Sequence, residues 1–269
     1  MVSDFGTKRD EEGEQARVGS YGLYKAFISL LLLSALVLSA CPGSAVAGFQ
    51  IPEKFVYDLT WAGIKAGTAS LEVVKKGDTV KIISTARSAS WISVFYTVED
   101  KIVSTLLEKP AFSYIGLPTT YRVKLREGRH RRDKEVIFDR ARNKAQYINH
   151  LKNEKREYKV PPGVFDPISG FFHLRSVPLK VGEPVSVTIF DSKKVWDVEV
   201  QVLRRERITL PIGTFDTVVI KPVLQSEGIF FRKGDVFIWL TDDAKHIPVK
   251  VQTKVAIGHI NATLVKGVY

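Results

Sequence analysis

The sequence predicts a mainly β protein: a single large antiparallel sheet curled on itself, or an open β-barrel, with one or two short helices. Three observations predict it. Segments rich in β-branched and aromatic residues recur along almost the whole chain beyond residue 53, punctuated by turn residues. The links between them are too short for helical crossovers, so neighbours must pair antiparallel. Alternation is often strict: in 249–257, Val249, Val251, Thr253, Val255 and Ile257 point one way and Lys250, Gln252 and Lys254 the other, as a sheet with one wet face requires.

Taken in order, "KFVYDLTWA" (54–62), "GTASLEVV" (67–74) and "TVKIISTARS" (79–88) are separated by Gly63, Gly67 and the turn "KKGD", and read as a meander. "TVEDKIVSTLLE" (97–108), "TTYRVKLRE" (119–127), "KEVIFDR" (134–140), "KAQYINH" (144–150) and "KREYKV" (155–160) follow. After them come 184–190, 195–208, 213–224, 234–242, 247–255 and 259–267. Two stretches look helical. Residues 88–98, "SASWISVFYTV", allow about a turn. "DPISGFFHLRSV" (166–177) has Asp166 as N-cap, Pro167 at the first helical position and apolar Ile168, Phe171, Phe172 and Leu174 behind them. "PPGVFDPISG" (161–170) divides two halves of similar pattern, which favours one domain over two. Charged residues on both parities of 195–208 leave no lipid-facing band, which disfavours a transmembrane barrel.

The N-terminal part reads as an export signal. Residues 26–40, "AFISLLLLSALVLSA", have the length and flanks of a signal-peptide core and are short for a membrane span. Residues 1–17 are acidic and make a poor n-region, and Met1 is the only methionine, so the biological start is expected nearer Val18. Two processing sites compete. Leu38-Ser39-Ala40-Cys41 has the form of a lipobox that would lipidate Cys41, while Ala45-Val46-Ala47 has the form cut by ordinary signal peptidase. Either implies the cell envelope, with 1–47 as signal segment and 48–269 as one β-rich domain. After ordinary cleavage no cysteine remains, which excludes disulfides, a thiol nucleophile and thiolate metal sites.

Beyond Ala47 there are 36 Lys and Arg against 24 Asp and Glu. Such an excess draws a protein toward polyanions. In the envelope these are lipid head groups, lipopolysaccharide phosphates or acidic glycans rather than nucleic acid. The densest block is "YRVKLREGRHRRDK" (121–134). There Arg122, Lys124 and Arg126 alternate with Tyr121, Val123 and Leu125, and Arg129, Arg131, Arg132 and Lys134 crowd the adjoining turn, interrupted only by Glu127 and Asp133. A solvated outer face explains it as readily as a surface for an anionic envelope partner.

Chemical motifs are absent. Asp242, Asp243 and His246 sit between two strand patterns, where aspartates belong for backbone reasons, and a turn is the expectation. The five histidines show no metal-ligand spacing, Ser169 lacks a nucleophile elbow, and there is no phosphate loop or dinucleotide fingerprint. Neither metal nor cofactor is expected. Large aromatics remain: Trp61, Trp91, Phe171, Phe172 and Trp239 are the candidates for lining an apolar cavity of the kind that curled sheets enclose.

Three stretches together resemble a bacterial exported family known as domain of unknown function 3108: "YDLTWAGIKAGTASLEV" (57–73), "VFDPISGFFHLRS" (164–176), and "GTFDTVVIKPV" (213–223) with 236–265. The resemblance implies export in Gram-negative bacteria and supplies no catalytic residues. The layout is also similar to the half-open barrels of lipoprotein carriers and periplasmic envelope-integrity proteins, a likeness of fold alone. The expectation is a non-enzymatic envelope protein that binds a lipid or other amphiphile, or a protein partner. A structural scaffold with a filled core is the alternative, and a glycan or lipid hydrolase comes third.

Overall fold

A computed structural model describes residues 51–107, 116–223, 235–255 and 258–269. The signal segment, Cys41 and Ile257 lie outside the described residues. Among the described residues one sheet contains fourteen strands: β1 (Glu53–Trp61), β2 (Ile64–Lys76), β3 (Thr79–Ser88), β4 (Glu99–Leu107), β5 (Leu117–Glu127), β6 (His130–Asp139), β7 (Lys144–Asn149), β8 (Glu154–Lys159), β9 (Val185–Asp191), β10 (Lys194–Leu210), β11 (Gly213–Pro222), β12 (Val236–Thr241), β13 (Pro248–Lys254) and β14 (His259–Val268). Among the described residues the helices are α1 (Ser90–Ser93) and α2 (Pro167–Leu174). Each predicted strand has its counterpart.

Every neighbouring pair of strands is antiparallel, and the order is β8 to β1 followed by β14 back to β9. The first and last strands therefore meet in the middle of the sheet, and β8 and β9 are its edges. The sheet curls until those edges approach, but they share no ladder. Side chains bridge the seam instead. Lys134 Nζ of β6 lies 2.8 Å from Asp191 Oδ1 at the end of β9, both buried. Lys193 Nζ reaches Glu154 Oε1 at 3.0 Å. Phe190 packs on Phe138 and Tyr158, with ring centroids 6.2 and 5.6 Å away. The free edge of β9 is partly covered by a short parallel pairing with Phe165, whose N–H donates to the Thr188 carbonyl. Such covering suppresses edge-to-edge association.

Because the hairpins alternate, the connections fall at two ends. The mouth carries the β1–β2 turn, α1, the β5–β6 turn and the β9–β10 turn; the base carries the β2–β3 turn, the β12–β13 loop and the chain's entry into β1. Burial along the inner rows runs from base to mouth. In β1, Phe55 and Tyr57 are buried, Leu59 is half-buried and Trp61 is exposed; in β3, Val80 and Ile82 are buried while Ser84 and Ala86 are half-buried; in β12, Leu240 is buried and Val236 half-buried. The base half is filled, and the mouth half is a cup.

Candidate functional site

Helix α2 separates the two halves, and its sequence explains how. Asp166 caps it, with Oδ1 accepting from the Ile168 and Ser169 amides at 3.0 Å, while Ser169 Oγ accepts from the Asp166 amide. This is the reciprocal cap that Asp-x-x-Ser permits. The second carboxylate oxygen accepts from Ser104 Oγ of β4 at 2.6 Å, which ties the helix start to the far wall. Gly170 lets the helix approach β9: a Cβ there would lie 3.0 Å from Ile189 Cγ2. At the C-terminal end Arg175 is wholly buried. Its guanidinium makes two 2.8 Å bonds to the Glu53 carboxylate, donates to the His246 and Lys245 carbonyls, and lies over the Phe55 and Phe172 rings.

On the mouth side of this helix lies a cleft of about 320 Å³. Phe171, Ile168 and Leu174 form its floor; Leu71, Ile102, Val187, Ile189, Val198 and Val200 are among its walls, with Val236, Ile238 and Val251 opposite. Of its sixteen lining residues only Ser84 carries a polar side-chain atom. The volume falls at the lower end of small-molecule sites, and a wall so uniform selects for hydrocarbon rather than for polar groups.

Several titratable groups are buried around α2 and the seam. Burial lifts the Asp166 carboxyl above its ordinary range, opposed by the hydrogen bonds it accepts. Burial likewise lowers the Lys134 ammonium, against the pull of Asp191, and lowers His173, which stacks on Phe165 at 4.6 Å. The Tyr121 phenol is raised by burial and by the charges of Asp191 and Asp166. Among the described residues no three His, Cys, Asp or Glu side chains cluster as a metal site.

Of the aromatics proposed from sequence, Phe171 lines the cleft. Phe172, the next residue round the helix, points away from the cleft and is buried with Val73, Val80, Ile82 and Leu106, because adjacent residues of a helix diverge. Trp239 is buried in a different cluster with Val219, its indole nitrogen bonded to Glu206 and its ring under Lys250. Trp61 and Trp91 stand at the mouth rim, exposed. None of these four lines the cleft.

The basic block is divided by register. Arg122, Lys124 and Arg126 do share the outer face of β5, but β6 begins at His130, so the expected turn is only Gly128-Arg129. Arg132 pairs with Leu125 and Lys134 with Val123, which turns both toward the inner face. On the outer face Arg122 is ion-paired with Asp133, and Arg126 lies 3.8 Å from Glu99. The block is thus less unopposed than its linear sequence suggests, because Glu99 arrives from another strand. Arg129 and Arg131 remain exposed at the hairpin tip.

The Asp242–His246 segment is a loop. Asp243 Oδ1 accepts from the Lys245 and His246 amides and from Thr241 Oγ1, and Asp242 pairs with Arg205 at 2.6 Å. Sequence reading missed its anchor, since nothing local marks Arg175 as the buried partner of Glu53, 122 positions away.

A model of a family described as a protein of unknown function, DUF3108, matches residues 56–265. The chain belongs to the DUF3108 family. This DUF3108 member matches no curated protein. Among solved structures it is similar to a β-barrel-like protein of another domain of unknown function, DUF1849, from Brucella abortus, at 14% identity, over 80% of this chain and 96% of that one, with a TM-score of 0.49. Among the described residues no helix is long and apolar enough to cross a membrane.

Proposed function

We propose that this protein is a non-catalytic component of the cell envelope that holds the hydrocarbon part of an amphiphile in the cleft above α2. The observation that carries the reading is the lining: fifteen apolar residues and one serine around 320 Å³, continuous with half-buried apolar positions toward the mouth. Apolar surface left accessible costs about 25 cal/mol per Å² relative to burial, so an occupant that covers it gains that amount. The signal-like 26–40 segment supports an envelope location.

The test is native mass spectrometry of gently purified protein, with displacement of a naphthyl fluorescent probe. Wild type should carry a lipid-sized adduct and bind the probe. Val251→Phe, which projects a ring into the cleft, should lose both while keeping its fold. A clean apoprotein that also ignores the probe would support the scaffold reading instead.

A further inference from the structure

We propose that the mouth rim docks onto an anionic lipid bilayer, with Trp91, Val94 and Phe95 entering the headgroup region and Arg126, Arg129 and Arg131 meeting lipid phosphates. The α1 segment presents an unusual run of apolar side chains to water: Val94 is 76% exposed and Phe95 87%. Trp61 and Ile64 of the β1–β2 hairpin extend the patch, since Trp91 Nε1 donates to the Lys65 carbonyl at 3.0 Å and the Ala89 amide to that of Ala66 at 2.7 Å. Single exposed apolar residues need no explanation, but a contiguous group does.

The patch is fastened to the cationic hairpin tip. The Gly128 amide donates to the Thr97 carbonyl at 2.8 Å, Val98 pairs with Glu127, and a Cβ at Gly128 would come within 2.7 Å of the Tyr96 ring. Gly128 also has φ of +58°, so glycine is required there twice over. An aromatic and aliphatic tip beside exposed arginines is the combination that holds proteins at membrane interfaces, and each cation near an anionic leaflet adds to the attraction. Glu99, 3.8 Å from both Arg87 and Arg126, offsets part of that charge, while Arg129 and Arg131 lie beyond it at the turn. Charge complementarity therefore favours a bilayer surface over a neutral partner. Docking there would set the mouth against the bilayer, so that an amphiphile could move between them without crossing water; that last consequence rests on the proposed function, and the docking does not.

The experiment is co-sedimentation with phosphatidylcholine vesicles made with and without a quarter of phosphatidylglycerol, with cleft-probe binding read in the same samples. Wild type should pellet with the anionic vesicles and be released by high salt. The double exchange Val94→Glu with Phe95→Glu, at positions too exposed to threaten folding, should weaken pelleting by about tenfold or more and leave probe binding unchanged. Arg129→Glu with Arg131→Glu should remove the preference for anionic vesicles. Failure of wild type to pellet at low salt, or pelleting by the Val94/Phe95 variant equal to wild type, overturns the proposal while leaving the cleft reading intact. So does a concentration-dependent dimer in sedimentation velocity that Phe95→Glu dissolves, which would assign the patch to a second copy.

Discussion

The base and mouth of this sheet are made from the same strands, with similar residues on their inner rows, yet only the base is packed. Phe55, Val80, Leu106, Leu240 and Leu264 are fully or almost fully buried toward the base, while Leu59, Ala86, Ile102, Val236 and Ala262 of the same five strands are half-buried toward the mouth. The difference lies in what fills the lumen. At the base, Phe172 of α2 and the Arg175–Glu53 pair occupy the space between the walls; above the helix none of the described residues does so. A curled sheet of this circumference leaves more lumen than its own wall side chains fill, so an inserted element decides which half is core and which is container.

The sharpest way to break that contrast is at the buried ion pair. Arg175→Ala leaves the Glu53 carboxylate without its partner in a site excluded from water, and should cost about 3–5 kcal/mol. Glu53→Gln should cost less, because a neutral amide still accepts one of the two guanidinium bonds. Urea denaturation followed by tryptophan fluorescence measures both. Equal, small losses would mean that α2 is held by packing alone and that the base does not depend on the pair.

A paired comparison comes next. Leu106→Ala, in the filled half, should cost about 2–5 kcal/mol by removing contacts and leaving a void. Val198→Ala, whose side chain already borders open space, should cost less than about 1 kcal/mol. If the two losses match, the mouth is packed as tightly as the base and the cleft is no container. The same denaturation series decides.

How much of this was legible in the sequence follows from the range of each interaction. Strand positions and the α2 cap depend on neighbours within a few residues, so "KKGD" and "DPIS" announced themselves. The alternation of Tyr121, Val123 and Leu125 gave the buried face of β5 for the same reason. Register is not local. That Lys134 faces inward follows from a two-residue turn at Gly128-Arg129, and its burial from Asp191 across the seam, 57 positions on. The exposure of Trp61 and Trp91 was equally hidden, because aromatic content cannot distinguish a lumen position from a rim position on the same strand or its flank. The open seam between β8 and β9 left only half a mark: β8, Glu-Lys-Arg-Glu-Tyr-Lys, is short and charged as edge strands are, while β9 has an ordinary strand pattern.

Asp166 sits on the boundary between the halves and reports on it through pH. Burial raises its pKa in the folded chain, so folding favours the protonated form. Its contribution is therefore fully present below the unfolded value of about 3.9 and is lost as pH rises through the folded pKa. Relative to Asp166→Asn, wild type should lose stability over that interval, measured by urea midpoints in matched buffers. A difference that stays flat with pH would mean that water from the mouth reaches the carboxylate and that the boundary is wetter than the geometry implies.

The smallest expected effect concerns the loop that closes the base. Exchanging Asp242 and Asp243 together for Asn keeps an oxygen to accept from the Lys245 and His246 amides and loses mainly the charge opposite Arg205, an exposed pair of the kind that contributes about 0–1 kcal/mol. Stability should fall by no more than that, and probe binding in the cleft should not change, because the carboxylates lie at the opposite end from the mouth. A loss of probe binding without a loss of stability would couple the base loop to the container. The path for such coupling would run through Arg175, which bonds both the loop's carbonyls and Glu53 and which follows directly on the helix that floors the cleft.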